Sequence, residues 1–206
     1  MPSQRSKPGF PVIVRRLAFA VAAICLLLQA AAAQNMIEVR GADTKYRYAD
    51  WNYTFHNSAI IDLFYVGVPG SNEFNLGGGR AFKIGDLTLS PLVYAVFGKE
   101  DGQRGLKFAL LAAYAEGSWR FNSFVGQYLP ISGGVSSYQV LDTLDFSRML
   151  DKRWELGVSS GFFHASHAWN PQVGPMLKIN DRYGSWAVSY RFGPQDEFRI
   201  GRIFLF

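Results

Sequence analysis

The residue types best placed to do chemistry are gathered in Phe163-His164-Ala165-Ser166-His167. A serine two positions from a histidine can share its side of an extended strand. There the imidazole can take the hydroxyl proton and make the oxygen a nucleophile. A hydrolytic site of this kind also needs an acid to orient the histidine. None stands nearby on the following segment, since residues 172–180 contain no carboxylate. Asp196 and Glu197 come later in the chain. His164 and His167 are the remaining candidates for a metal, but two histidines three apart on an extended chain point to opposite sides. The third histidine, His56, is isolated. The Gly77-Gly78-Gly79 run lacks the Lys-Ser/Thr that follows in a phosphate-binding loop. No cofactor or metal is therefore expected, and His164 and Ser166 are the candidate catalytic residues.

The elements carrying these residues follow a period of two from Ala59 onward, the period of a strand. Leu87, Leu89, Pro91, Val93, Ala95 and Phe97 make one face, against Thr88, Ser90, Leu92, Tyr94 and Val96. Trp154, Leu156, Val158 and Phe162 oppose Glu155, Gly157, Ser159 and Gly161. Such segments recur at 59–68, 72–84, 87–98, 104–116, 118–129, 138–150, 153–164, 172–180, 184–192 and 196–206. Most are long enough for a tilted strand to cross a bilayer. Short connections alternate with longer ones, as between the two rims of a membrane barrel, except that the outer connections at 69–71 and 193–195 are also short.

One face is built of Leu, Val, Phe, Trp and Tyr. The other is dominated by Gly, Ala, Ser and Thr, with few charges. A solvated surface would carry many more Lys, Glu, Asp and Arg. The apolar face is therefore expected to meet lipid. The expected fold is all-β, a closed antiparallel transmembrane β-barrel of about ten strands, with eight or twelve as alternatives. The expected barrel spans residues 58–206. Residues 34–57, rich in aromatics, are expected as a periplasmic or interfacial segment, with an extra pair of strands as the alternative.

Residues 1–33 read as a cleavable signal peptide. Arg5, Lys7, Arg15 and Arg16 precede an apolar stretch at residues 17–28, and Ala31-Ala32-Ala33 supplies the small residues for cleavage. Twelve apolar residues are too few for a transmembrane helix. The segment holds four of the positive charges and the only cysteine, Cys25. The rest of the chain is then near +1 and has no cysteine, so its charge suggests no nucleic-acid partner.

The C-terminal segment, Phe198-Arg199-Ile200-Gly201-Arg202-Ile203-Phe204-Leu205-Phe206, resembles the last strand of bacterial outer-membrane barrel proteins. The resemblance implies an assembly signal formed by Phe198, Ile200, Phe204 and Phe206, read by the barrel-assembly machinery after passage with periplasmic chaperones. Arg202 departs from the pattern. The implied location is the bacterial outer membrane, with lipid including lipopolysaccharide around the barrel. Phe206 would end in the periplasm, which puts His164 at the outer leaflet. There His164-Ala165-Ser166 is similar to the His-x-Ser element of outer-membrane lipid A deacylases. Their Asn-Ala after the serine is replaced here by His167-Ala168.

Strict alternation points Lys83, Lys107, Arg153, Lys178, Arg191 and Arg199 into the lumen, with Asp62, Glu73, Asp145, Glu155 and Glu197. It leaves Arg80, Asp142 and Arg202 on the lipid side. A bulge at the glycine run would correct Arg80, a loop position would explain Asp142, and snorkelling would accommodate Arg202. Nearly balanced charges in a ten-stranded lumen suit a narrow or plugged barrel in a non-enzymatic structural or accessory role. The alternatives are a lipid A acyl hydrolase using His164 and Ser166, and a small-solute channel.

Overall fold

The computed structural model describes residues 34–98, 102–165 and 168–206. The expected signal peptide, 1–33, lies outside them, as do Ser166 and His167.

Among the described residues the named elements are all antiparallel β-strands: β1 (Gln34–Ala42), β2 (Arg47–Thr54), β3 (Ala59–Val68), β4 (Ser71–Arg80), β5 (Phe82–Ile84), β6 (Leu87–Gly98), β7 (Arg104–Glu116), β8 (Trp119–Ser132), β9 (Tyr138–Met149), β10 (Trp154–Ala165), β11 (Ala168–Asp181), β12 (Gly184–Arg191) and β13 (Glu197–Leu205). Each strand pairs with its sequence neighbour, except that β4 and β5 both pair with β6. The ring closes where β1 meets β13, from Met36↔Leu205 to Ala42↔Arg199. Asn35 and Phe206 exchange backbone hydrogen bonds at the end of this seam.

Thirteen strands make twelve staves. β4 and β5 pair with β6 in one register, Gly79↔Leu92 and Phe82↔Leu89. The ladder is interrupted only at Arg80-Ala81, facing Ser90-Pro91. Proline has no N–H to give to a ladder, which accounts for the interruption. At the break, Ala81 N–H turns to the Ser58 carbonyl, 2.8 Å away.

The expected ten strands are thus corrected to twelve staves, the alternative count. The added pair comes from the N-terminal segment. Residues 34–54 are barrel wall, so the barrel begins at Gln34 rather than at 58. Ile37 and Val39 face outward while Met36, Glu38 and Arg40 line the lumen.

The outer surface is apolar. Leu76, Val93, Phe97, Phe108, Leu110, Leu156, Val158 and Ile200 all present their side chains there. A water-soluble barrel would bury these residues. A closed barrel in lipid exposes them while its ladders satisfy the backbone. Among the described residues no helix is long and apolar enough to cross a membrane.

Both termini of the barrel lie at one rim, here called the terminal rim; the other is the loop rim. Short turns serve the terminal rim. Gly85 and Gly117 occupy positive φ (61° and 53°) at two of them, a conformation that favours glycine. The loop-rim connections are shorter than expected, because β8 runs on to Ser132 and β11 begins at Ala168.

Candidate functional site: the lumen

The lumen encloses a cavity of about 940 Å³. Its lining runs from Gln34, Met36 and Thr54 near the terminal rim to Pro69, Ser71 and Gln195 at the loop rim. Twelve staves enclose more room than the ten expected, and an eight-stranded barrel is just filled by its side chains. The lumen is therefore not plugged throughout.

It is, however, crossed. Asp142 on β9 faces β1 and β13 from the far side of the barrel. Arg40 Nη1 lies 2.5 Å from Asp142 Oδ2, and Arg199 Nη1 lies 3.1 Å from Oδ1. The Tyr46 hydroxyl donates to the same carboxylate at 3.2 Å. Each arginine also keeps a carboxylate on its own stave. Arg40 pairs with Glu38 at 2.6 Å, and Arg199 with Glu197 at 2.7 Å.

A register shift puts Asp142 there. The ladder skips it between Phe124↔Thr143 and Val125↔Leu141, and again opposite Ser160 and Phe162. The extra residue turns a side chain of lipid-facing parity into the lumen. The expectation that Asp142 belonged to a loop or to the lipid face is corrected on this ground.

A second crossing joins β4 to β9, where the Tyr138 hydroxyl donates to Glu73. Glu73 also receives Lys107 Nζ at 3.0 Å and Gln103 Nε2 at 3.1 Å. Below it, Phe64 on β3 meets Phe124 on β8 edge to face, with centroids 5.8 Å apart. Phe64, Ile60, Leu92, Tyr94, Val96, Tyr128 and Tyr138 form an apolar cluster that fills one side of the lumen. Tyr94 joins it by leaning across β4. A side chain at Gly77 would meet its ring, with a Cβ only 2.7 Å from Cγ. Glycine there lets the Tyr94 hydroxyl reach Asp62 at 3.1 Å.

Most lumen charges are paired. Lys178 lies 3.4 Å from Asp145 and 3.7 Å from Glu155. Ser159 Oγ donates to Asp145 at 2.6 Å, and Ser147 donates to Glu155. Among the described residues, two places stand apart. Arg191 has no ion-pair partner; its guanidinium holds Ser159 Oγ at 2.6 and 3.1 Å and the Asp142 carbonyl at 3.2 Å. On the neighbouring staves β2 and β3, Asp50 and Asp62 both line the lumen and take part in no salt bridge. One oxygen of each has no hydrogen-bond partner within the chain.

Of the lumen residues expected from alternation, Asp62, Glu73, Lys107, Asp145, Glu155, Lys178, Arg191, Glu197 and Arg199 do turn inward and are buried or nearly so. Lys83 and Arg153 are exposed at the terminal rim, where Lys83 pairs with the lumen-lining Thr88. Glu38, Arg40 and Asp50 are the lumen charges the sequence reading missed. The alternation of Glu38 and Arg40 with Ile37 and Val39 carried their signal.

The remaining sites are spread over the wall. His164, near the loop rim, stacks on Trp169 with centroids 4.2 Å apart. Among the described residues no carboxylate bonds it, and its expected partner Ser166 lies outside them. Arg202 keeps its lipid-side parity yet is buried. Trp186 and Phe204 flank its guanidinium at 5.2 and 4.8 Å, and Asp181 takes both its amino groups at 2.8 and 2.9 Å. This is snorkelling to a partner at the rim. Arg80 keeps its outward parity too, because the glycine run before it pairs in register on both sides and holds no bulge. Phe198, Ile200 and Phe206 are exposed on the outer face. Phe204 stacks on Phe206 with centroids 6.5 Å apart.

An apolar outer band around a polar, cavity-bearing lumen defines a membrane-spanning barrel with the fold of bacterial outer-membrane porins. No family model matches the chain, and no curated protein matches it. Among solved structures it is similar to the KdgM porin, at TM-score 0.62 and 12% identity over 84% of this chain and 99% of that one. It is similar also to the KdgM porin in complex with disordered oligogalacturonate, at TM-score 0.62, 11% identity and the same two coverages. The NanC porin follows at TM-score 0.54 and 10% identity, over 85% of this chain and 100% of that one. At such identities the likeness is one of fold.

Proposed function

We propose that the chain is a narrow outer-membrane channel for small polar solutes. The observation carrying this reading is the 940 Å³ cavity, lined from one rim to the other by side chains of the staves. A barrel with a purely structural role has no need of such space. The channel alternative is therefore preferred to the structural or accessory role. The porin fold of its structural neighbours supports the same choice.

The lumen chemistry narrows the solute class. One neighbour was solved with oligogalacturonate, a polyanion. Here four of the five lumen cations are engaged by carboxylates, and only Arg191 is without one among the described residues. The uncompensated acids, Asp50 and Asp62, supply the other sign. A single-sign ring selects ions of one charge; two signs on different walls suit uncharged or zwitterionic solutes. The Arg40–Asp142–Arg199 bridge is the narrow point they pass. Liposome swelling tests this: faster entry of a neutral monosaccharide or an amino acid than of an anionic sugar of similar size supports it, and the reverse order sinks the solute assignment.

We infer further that the chain reaches the membrane through the barrel-assembly machinery, with Phe206 in the periplasm. The exposed side chains of Phe198, Ile200 and Phe206 beside the closing seam support this route.

A further inference from the structure

Three polar side chains on one stretch of the lumen wall are buried without a full set of partners. Asp50, Asp62 and Asn75 stand on β2, β3 and β4, with exposures of 8%, 3% and 0%. Each carboxylate uses one oxygen. The Tyr48 hydroxyl donates to Asp50 Oδ2 at 3.2 Å. Asn52 Nδ2 and the Tyr94 hydroxyl donate to Asp62 Oδ2 at 3.0 and 3.1 Å. Among the described residues, Asp50 Oδ1, Asp62 Oδ1 and both polar atoms of Asn75 have no partner.

The register brings the three together. Asp50 pairs with Phe64 and Asn52 with Asp62, so Asp50 and Asp62 are diagonal neighbours. Phe64 pairs with Asn75 and Asp62 with Gly77, so Asp62 and Asn75 are diagonal neighbours too. Asn75 also shares the inward parity of Glu73, two residues before it on β4. Diagonal neighbours on one face of a sheet stand about 7–8 Å apart, a gap that short side chains span when an ion lies between their oxygens. Buried polar groups are rarely left unsatisfied, and a buried carboxylate without a counter-charge is costlier still. Other carboxylates already engage Arg40, Lys107, Lys178 and Arg199. The cavity lining carries seven carboxylates against five cationic side chains, which leaves an excess of two negative charges.

We propose that Asp50, Asp62 and Asn75 hold one calcium ion in the lumen wall. Two carboxylates and an amide carbonyl are oxygen donors of the kind Ca²⁺ takes, and its flexible shell of about six to eight oxygens leaves room for water. The ion cancels the excess charge of the lining and ties β2, β3 and β4 together on their inner face. The ammonium group of a passing solute fits less well, because the unpartnered oxygens are buried. A lining balanced in this way still suits uncharged and zwitterionic solutes.

Calorimetric titration with calcium chloride tests this. The full barrel is refolded in a zwitterionic detergent without lipopolysaccharide, so that no lipid phosphate competes for the metal. Uptake of one Ca²⁺ per barrel is expected, with a dissociation constant of about 10⁻⁴–10⁻³ M. Asp50→Asn with Asp62→Asn should abolish the uptake, and unchanged heat-modifiable migration in gels reports that this variant is folded. Asn75→Asp adds a third carboxylate and should tighten binding about tenfold, since affinity follows the charge of the ligands. No uptake by the unmutated barrel would overturn the proposal and leave the two carboxyls sharing a proton. Undiminished uptake by the folded double variant would also overturn it, because the ion would then sit elsewhere. So would weaker binding by a folded Asn75→Asp barrel. None of these readouts depends on whether the lumen conducts.

Discussion

Replacing Asp142 by asparagine should change what crosses the lumen while leaving the barrel folded. Asp142 joins Arg40 and Arg199 across the barrel at 2.5 and 3.1 Å. Stranding a buried charge costs about 3–5 kcal/mol. Neither arginine is stranded here, because Glu38 and Glu197 stay in place at 2.6 and 2.7 Å. The loss should be nearer that of one charge-assisted hydrogen bond, about 1–3 kcal/mol. For a permeating ion about 5 Å from the carboxylate in water, a unit charge is worth about 0.8 kcal/mol. Removing it disfavours a cation and favours an anion by that amount each. The two together give about 1.7 kcal/mol, roughly a 15-fold fall in the cation-over-anion permeability ratio. Reversal potentials across a planar bilayer under a salt gradient measure that ratio directly. A folded Asp142→Asn barrel with the selectivity and conductance of the unmutated protein would refute the claim that the bridge stands in the path.

Further outcomes follow from other parts of the wall. Asp181→Ala should destabilise the barrel by about 1 kcal/mol by removing the carboxylate that accompanies Arg202 near the interface, whereas Arg202→Leu should cost less; heat-modifiability midpoints compare the two, and the opposite order contradicts the snorkelling account. Gly77→Ala should cost about 1–3 kcal/mol on the same scale, since the added methyl meets the Tyr94 ring. Deleting Phe206 should lower the amount of folded barrel in the membrane fraction without lowering its synthesis, and an unchanged folded amount would argue against the assembly signal. In the β9–β10 turn, the backbone N–H groups of Trp154 and Arg153 hold the exposed Asp151 carboxyl below the ordinary aspartate range. A depressed folded-state value means that its contribution is present above the usual aspartate pKa and is lost as the pH falls through the lowered one. Carbon NMR of that carboxyl checks this, and a midpoint at or above 3.8 would contradict it.

The period of two made the barrel legible wherever one face was uniformly apolar. The strands at Leu87–Gly98 and Trp154–Ala165 could be drawn to within a residue. It was obscure in β2, where Tyr48, Trp51 and Tyr53 put aromatic rings on both faces, and the stave count suffered for it. Alternation also assumes an unbroken ladder. Residues beyond a skipped position change sides, and nothing local to Asp142 marks the skip. The missed bulge hid the contact that narrows the lumen. Arg202 was legible as a misfit but not as a paired one. Its partner Asp181 lies 21 residues away and meets it only because β11, β12 and β13 are neighbours. The lumen charges followed from parity; which carboxylate meets which cation required the closed ring.

The central claim, a narrow conducting lumen, is tested most directly by single-channel recording. The folded, heat-modifiable barrel in a planar bilayer should give small discrete steps at moderate voltage. Silence under the same conditions, with folding verified in the same sample, would contradict the channel and leave a barrel closed by Asp142, Glu73–Tyr138 and Phe64–Phe124.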